Sequence, residues 1–201
     1  MRADGVGGIR SSTRGWQNRR VTDALLTVRH VDGPEPRRTH SGAVVLDWWV
    51  DLASPNHSDT VELLDDLRDR FGDDVDVRVR HFPLAAHVWA VAAAQCQCEA
   101  DVQDRGMTYA AHAVAALDTI EGPADYVDLA EHLGLDEEQF ALALFDGRHA
   151  SRVSDDHDAG RALGVTSTPT FVVDGLLVAA DQTREGALAV LSARISSALG
   201  R

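Results

Sequence analysis

Apolar and polar positions along the chain change period repeatedly, and each change marks a new kind of element. "AVVLDWWV" (Ala43–Val50) is a continuous apolar, β-prone run and predicts a strand covered on both faces. From Pro55 onward Val61, Leu64, Leu67 and Phe71 recur at helical spacing, Asp65, Asp66 and Asp69 take the wet face, and Gly72 ends the helix. "VDVRVRHFPL" (Val75–Leu84) alternates, with Val75, Val77 and Val79 on one face. Strand, helix and strand this close in sequence predict a right-handed parallel βαβ unit. Upstream, "VRHVDGPEP" (Val28–Pro36) reads as a short extended segment closed by a Gly-Pro turn.

The next eighty or so residues carry no strand pattern. "AAHVWAVAAAQCQCEADVQDRG", "MTYAAHAVAALDTI", "ADYVDLAEHLGL", "DEEQFALALFDG" and "HASRVSDDHDAGRALG" are Ala-rich or amphipathic helices, with Asp136 as N-cap of the fourth and Gly134, Gly147 and Gly164 at C-terminal caps. The β pattern returns in "TPTFVVDGLLVAA", two strands across an Asp174-Gly175 turn, before an amphipathic final helix. The order is β-α-β, a helical block, then β-β-α: an α/β sheet with an inserted lid. The boundaries expected from this are a flexible basic leader over 1–40, a sheet domain over 41–84 and 165–201, and the helical insertion over 85–164.

Composition narrows the classes. The 44% hydrophobic and 25% charged fractions suit a soluble globular protein, and no apolar run reaches the roughly 20 residues of a membrane span. The formal charge of -13 argues against a nucleic-acid or anionic-lipid footprint. That charge is uneven: residues 1–40 are net +4 and the remainder net -17. With no apolar stretch of signal length near the N-terminus, a cytoplasmic location is expected. The two cysteines, Cys96 and Cys98, sit two apart in a helical segment, point to nearly opposite sides and lack a second pair at zinc spacing. Buried small residues are the expected role; no metal site is expected.

Four features line up: a strand that runs into a Pro-containing turn opening a helix, "HFPLAAHVWAVAAA", a helical insertion with "GL" before an acidic turn, and "GVTSTPTFVVDG". Together they resemble the DsbA-like branch of the thioredoxin-fold superfamily, the disulfide oxidoreductases, from about Val28 to Arg201. The resemblance implies a thioredoxin fold with an all-helical insertion, with Thr168-Pro169 as the cis-proline turn beside the active site. Backbone groups of Thr168 would there pair with an extended peptide or a glutathione-like thiol. His87 would face the active-site side.

The site itself departs from the family. Where the family carries Cys-Pro-x-Cys, this chain reads Ser54-Pro55-Asn56-His57. Dithiol–disulfide exchange needs an attacking and a resolving thiol, and a serine hydroxyl supplies neither. "VDLASPNH" also resembles, as far as the proline, the Ser-Pro turn of 2-hydroxychromene-2-carboxylate isomerases and kappa-class glutathione transferases, in which the hydroxyl positions the sulfur of glutathione. Three readings of the cleft stand side by side: a peptide- or thiol-binding family member without redox turnover, an isomerase or transferase using glutathione or another low-molecular-weight thiol at Ser54, and a non-catalytic interaction protein.

Ser54 also has a structural role open to it, as an N-cap with Pro55 at the first helical position. His57 would then stand at the third helical position, where the helix N-terminus favours the neutral imidazole, and a Ser54–His57 pair with Asp51 or Asp47 as orienting acid is the catalytic counterpart. Capping or solvation is the plain role for His87, which the pattern puts at the start of the first inserted helix. Trp48 and Trp49 point to opposite sheet faces. Trp89 and Tyr109 fix the insertion or line the cleft. "DDLRDRFGDDVD" and "SDDHD" read as solvated acidic faces, and His149 and His157 beside the second match no metal spacing.

Overall fold

A computed structural model describes residues 28–30, 39, 42–55, 58–179 and 183–201. The sheet comprises β1 (Val28–His30), β2 (Val44–Val50), β3 (Val75–His81), β4 (Thr170–Val173) and β5 (Leu176–Ala179), in the order β1-β5-β4-β2-β3. β2 and β3 run parallel, joined by α1 (Ser58–Phe71), while β2–β4, β4–β5 and β5–β1 are antiparallel. Five helices lie between β3 and β4: α2 (Ala90–Val102), α3 (Gly106–Ala115), α4 (Pro123–His132), α5 (Glu137–Asp146) and α6 (Ala150–Leu163). The last helix is α7 (Arg184–Leu199). The fold is the expected thioredoxin fold with a helical insertion.

β2 is buried along its whole length because helices cover both of its faces. Val44, Leu46, Trp48 and Val50 join a core with Leu63, Leu64 and Leu67 of α1 and Leu191 and Ile195 of α7. Trp49 points the other way, into a smaller core with Phe82, Val165, Val172 and Leu177, packed by Ala159 and Leu163 of α6. Both tryptophans are thus core residues, one in each layer, as alternation along a strand requires. α6 reaches the second layer through Gly160, where an added Cβ would fall 2.8 Å from the Trp49 ring and 2.9 Å from Phe82.

Local signals explain the termini. Asp136 caps α5 by accepting from the Gln139 N–H at 3.2 Å, and Gly147 and Gly164 close α5 and α6 in the left-handed region. The β4–β5 turn has positive φ at both Asp174 (46°) and Gly175 (72°), the hand that suits a two-residue hairpin.

Four expectations need correction. β1 falls inside the segment set apart as a leader, yet it pairs with β5 from Val28 to His30, because β5 would otherwise leave its outer edge open. The rest of "VRHVDGPEP" lies outside the described residues. α2 begins at Ala90, so His87 stands in the turn before it rather than opening it. The acidic run after His149 is not wholly solvated: Asp156 is buried because it accepts from the His81 backbone N–H at 3.1 Å and pairs with Arg80 at 3.0 Å. The fourth correction, the place of Pro55, belongs to the site.

Candidate functional site

β2 ends at Val50, and the chain turns sharply before α1. Asp51 builds that turn. Its carboxylate accepts from the Ala53 N–H at 2.9 Å, while its carbonyl accepts from the Ser54 N–H at 3.0 Å. The described part of α1 begins at Ser58, and Pro55 stands in a bend rather than at a helical position. The reason is local: an aspartate that captures the N–H two residues on makes a turn of its own. Asn56 and His57 lie outside the described residues.

The same Asp51 reaches across to the loop after β3. Its second carboxylate oxygen accepts from the Leu84 N–H at 2.8 Å and from His87 Nδ1 at 2.7 Å. The Asp51 side chain is fully buried and that of His87 is 23% exposed. A buried carboxylate on Nδ1 fixes the ring and its tautomer, leaving Nε2 as the ring's other proton-binding position. One of the two acids that sequence reasoning weighed as a partner for His57, Asp51, holds His87. The signals were a charged residue directly after a fully buried strand and the histidine that follows "HFPL".

Ser54 and Pro55 line a cavity of about 420 Å³ between α1 and the insertion, walled by Val61, Val114 and Leu117, with Glu62 and Asp118 at its polar side. Ser54 itself is 1% exposed. Thr168, Pro169 and His87 do not line this cavity. The Thr168–Pro169 peptide is cis. It leads directly into β4, whose Thr170 pairs with Trp49 near the end of β2, so it stands at the same end of the sheet as the Ser54 turn. Thr168 Oγ1 is buried without a hydrogen-bond partner among the described residues. The cavity walls from α3 were not legible in sequence, since they depend on how two helices separated by a strand pack.

Beside the turn, Val88 and Val91 are exposed and Trp89 partly so, its indole donating to the Glu121 carbonyl at 3.1 Å. That bond ties the start of α2 to the connection before α4. Tyr109 is buried and donates to the Tyr126 carbonyl at 2.7 Å, a packing role inside the insertion.

The cysteines sit elsewhere. Cys96 and Cys98 are free and buried in α2, and burial pushes each thiol up to about 12. Cys98 Sγ lies 3.2 Å from Nε2 of His81, whose own pKa is held down at about 3 by burial first and by the Arg152 charge second. His149 binds the buried Glu99 at 2.8 Å and His157 stacks on Phe82. Among the described residues no group of His, Cys, Asp and Glu is arranged to hold a metal ion.

A parallel βαβ unit, a helical block and an antiparallel hairpin, with a turn opening the first helix and a cis-proline at the same sheet end, define a thioredoxin-fold protein of the inserted type. The family described as DSBA-like thioredoxin domain matches residues 45–189, and the chain belongs to that family. Solved structures of similar fold include BdbD from Bacillus subtilis (oxidised), with a TM-score of 0.69, 14% identity and coverage of 84% of this chain and 100% of that one. Another is the oxidoreductase DsbA from Xylella fastidiosa (TM-score 0.69, 17% identity, 87% and 96% covered). Among curated proteins, the Na(+)/H(+) antiporter NhaA 1 of Mycobacterium sp. (strain KMS) is 30% identical over an alignment of 186 residues that covers 85% of this chain. This chain spans only 30% of that relative's length.

Proposed function

We propose that this chain is a DsbA-like protein that binds a peptide or a small thiol at the Ser54 turn without dithiol–disulfide exchange. One observation carries the reading: the position from which the family's thiol acts is a serine lining a cavity, while both cysteines of the chain are buried with thiols pushed up to about 12. A thiol at that pKa is almost wholly protonated near neutrality, and the thiolate is the nucleophile. The unpartnered Thr168 hydroxyl and the exposed Val88 and Val91 at the same sheet end suit an extended peptide with an apolar side chain. A cytoplasmic location goes with this reading. Antiporter activity stays with the relatives so named: the match covers at most 30% of their length, and no helix among the described residues is long and apolar enough to cross a membrane.

A second reading, an isomerase or transferase that uses glutathione or a similar thiol, is favoured by Ser54 lining the cavity itself, with the Asp51–His87 pair one turn away. Thermal shift and calorimetry against glutathione, mycothiol, bacillithiol and a short cysteine peptide test both readings. A ligand at a hundredfold its Kd should add about 2.7 kcal/mol of stability. Ser54→Asp should abolish thiol binding by setting a carboxylate against the sulfur, and leave peptide binding largely intact. Turnover of an electrophilic substrate with the bound thiol selects the second reading. Insulin reduction by the wild-type protein, lost in Cys96→Ala, would overturn the first.

A further inference from the structure

The described sheet ends at β3, and the strand's outer edge carries unusual lettering. Val75, Val77 and Val79 face the core side, and Val75 and Val77 pack only partly buried against it. Asp76, Arg78 and Arg80 face the other way. Asp76 and Arg78 bond each other within the strand at 2.8 Å, with side chains 36% and 43% exposed. Arg80 is already committed, to buried Asp156 at 3.0 Å and over the Trp49 ring at 5.1 Å.

Space runs along this edge. A cavity of about 180 Å³ is lined by Arg68, Val75 and Asp76, and one of about 280 Å³ by Arg78, Arg80 and Arg152; both share Val77 and Met107. The groove therefore follows the strand from Val75 to Arg80, with α3 on its apolar side and α6 on its charged side.

We propose that β3 is a self-pairing edge: a second copy of this chain adds its own β3 antiparallel, with the two-fold axis at Val77. In an antiparallel pair opposite residues share a face, so only registers that keep valine opposite valine preserve the core side. Centred on Val77, Asp76 stands opposite the partner's Arg78 and Arg78 opposite the partner's Asp76, while Val75 meets the partner's Val79. Both charged pairs are complementary, and an isologous two-fold contact makes them together. Centring on Asp76 opposes two carboxylates. Centring on Arg78 opposes two arginines and requires Arg80, which Asp156 and Trp49 already hold. Arg78 alone would repel the Arg78 of a second copy; Asp76 beside it converts the edge into its own complement.

Sedimentation velocity and light scattering from micromolar to millimolar protein test this, with circular dichroism as the folding check. The wild-type protein should self-associate, more weakly at high salt. Asp76→Arg and Arg78→Asp should each weaken the dimer roughly tenfold or more, since each turns two complementary pairs into like-charged ones. The double exchange D76R/R78D should restore it. A wild-type monomer at millimolar concentration overturns the proposal, as does a dimer indifferent to both single exchanges or a double exchange that fails to recover. A monomer that instead binds an alternating Glu-Val peptide, and loses it in Arg78→Asp, would reassign the groove to an acidic extended ligand.

Discussion

His81 and His87 stand six residues apart in "HFPLAAH", and the fold gives them opposite treatment. His81 ends β3, fully buried, with Cys98 on one side and its backbone N–H on Asp156. His87 lies in the turn before α2, held by Asp51 through Nδ1 and partly open to solvent. Each carboxylate does a different job. Asp156 accepts from backbone and from an arginine that cross-link α6 to β3, whereas Asp51 shapes the Ser54 turn and aims a histidine beside it. One region is closed and keeps its histidine neutral, and the other leaves a histidine partly open beside the Ser54 turn. A motif shared by both does not tell them apart; what each carboxylate touches does.

The contrast can be broken first at its most buried point. Asp156→Ala should cost about 3 kcal/mol in urea unfolding, because it strands the His81 N–H and leaves Arg80 over Trp49 without its counter-charge. Arg80 is a quarter exposed, so the low end of the range for broken buried pairs applies.

Acid should act on the closed histidine next. His81 is neutral in the folded protein down to about pH 3 but protonates near 6.5 once unfolded. The unfolded state therefore binds the extra proton, and stability falls as pH drops below 6.5. Between pH 6.5 and 4.5 the loss from this group is about 2.5 kcal/mol. Asp156, whose carboxyl burial raises, acts in the opposite sense: it takes up its proton first in the folded state. His81→Leu should flatten the acid limb of a stability-against-pH series.

On the open side the effects are smaller. Asp51→Ala removes the acceptor for two backbone N–H groups and for His87, and should cost about 2 kcal/mol. His87→Ala should cost about 1 kcal/mol or less by the same assay, since its ring is partly solvated. If His87→Ala proved as damaging as Asp156→Ala, the division into a closed and an open histidine site would fail.

Most of the architecture was legible in the sequence. The change from period two to helical period located β2, α1 and β3, and the Asp174-Gly175 dipeptide located the hairpin through its need for positive φ. "GVTSTPTF" and "HFPL" carried the family. The site was legible in part. Ser54 and Pro55 line the cavity, but Pro55 falls in a bend rather than at the first helical position, because an aspartate that captures a backbone N–H looks in sequence like any acid after a strand. The Asp51–His87 bond spans 36 residues and depends on the β3 register, which no local pattern encodes. Asp156 was read as solvated for the same reason: its partners Arg80 and His81 come from a strand some 75 residues earlier.

The pairing of Trp48 with one layer and Trp49 with the other also has a consequence for how the chain avoids mistakes while it folds. A one-residue slip of β2 against β4 would exchange the two indoles between cores of different size and carry Asp47 into the larger one. Neither layer could accept the swap, and the Gly160 contact, already too close for a methyl group, leaves no room to absorb it. The adjacent tryptophans thus act as a proofreading key for strand alignment, and the turn that follows them inherits its placement opposite Thr170 from that check.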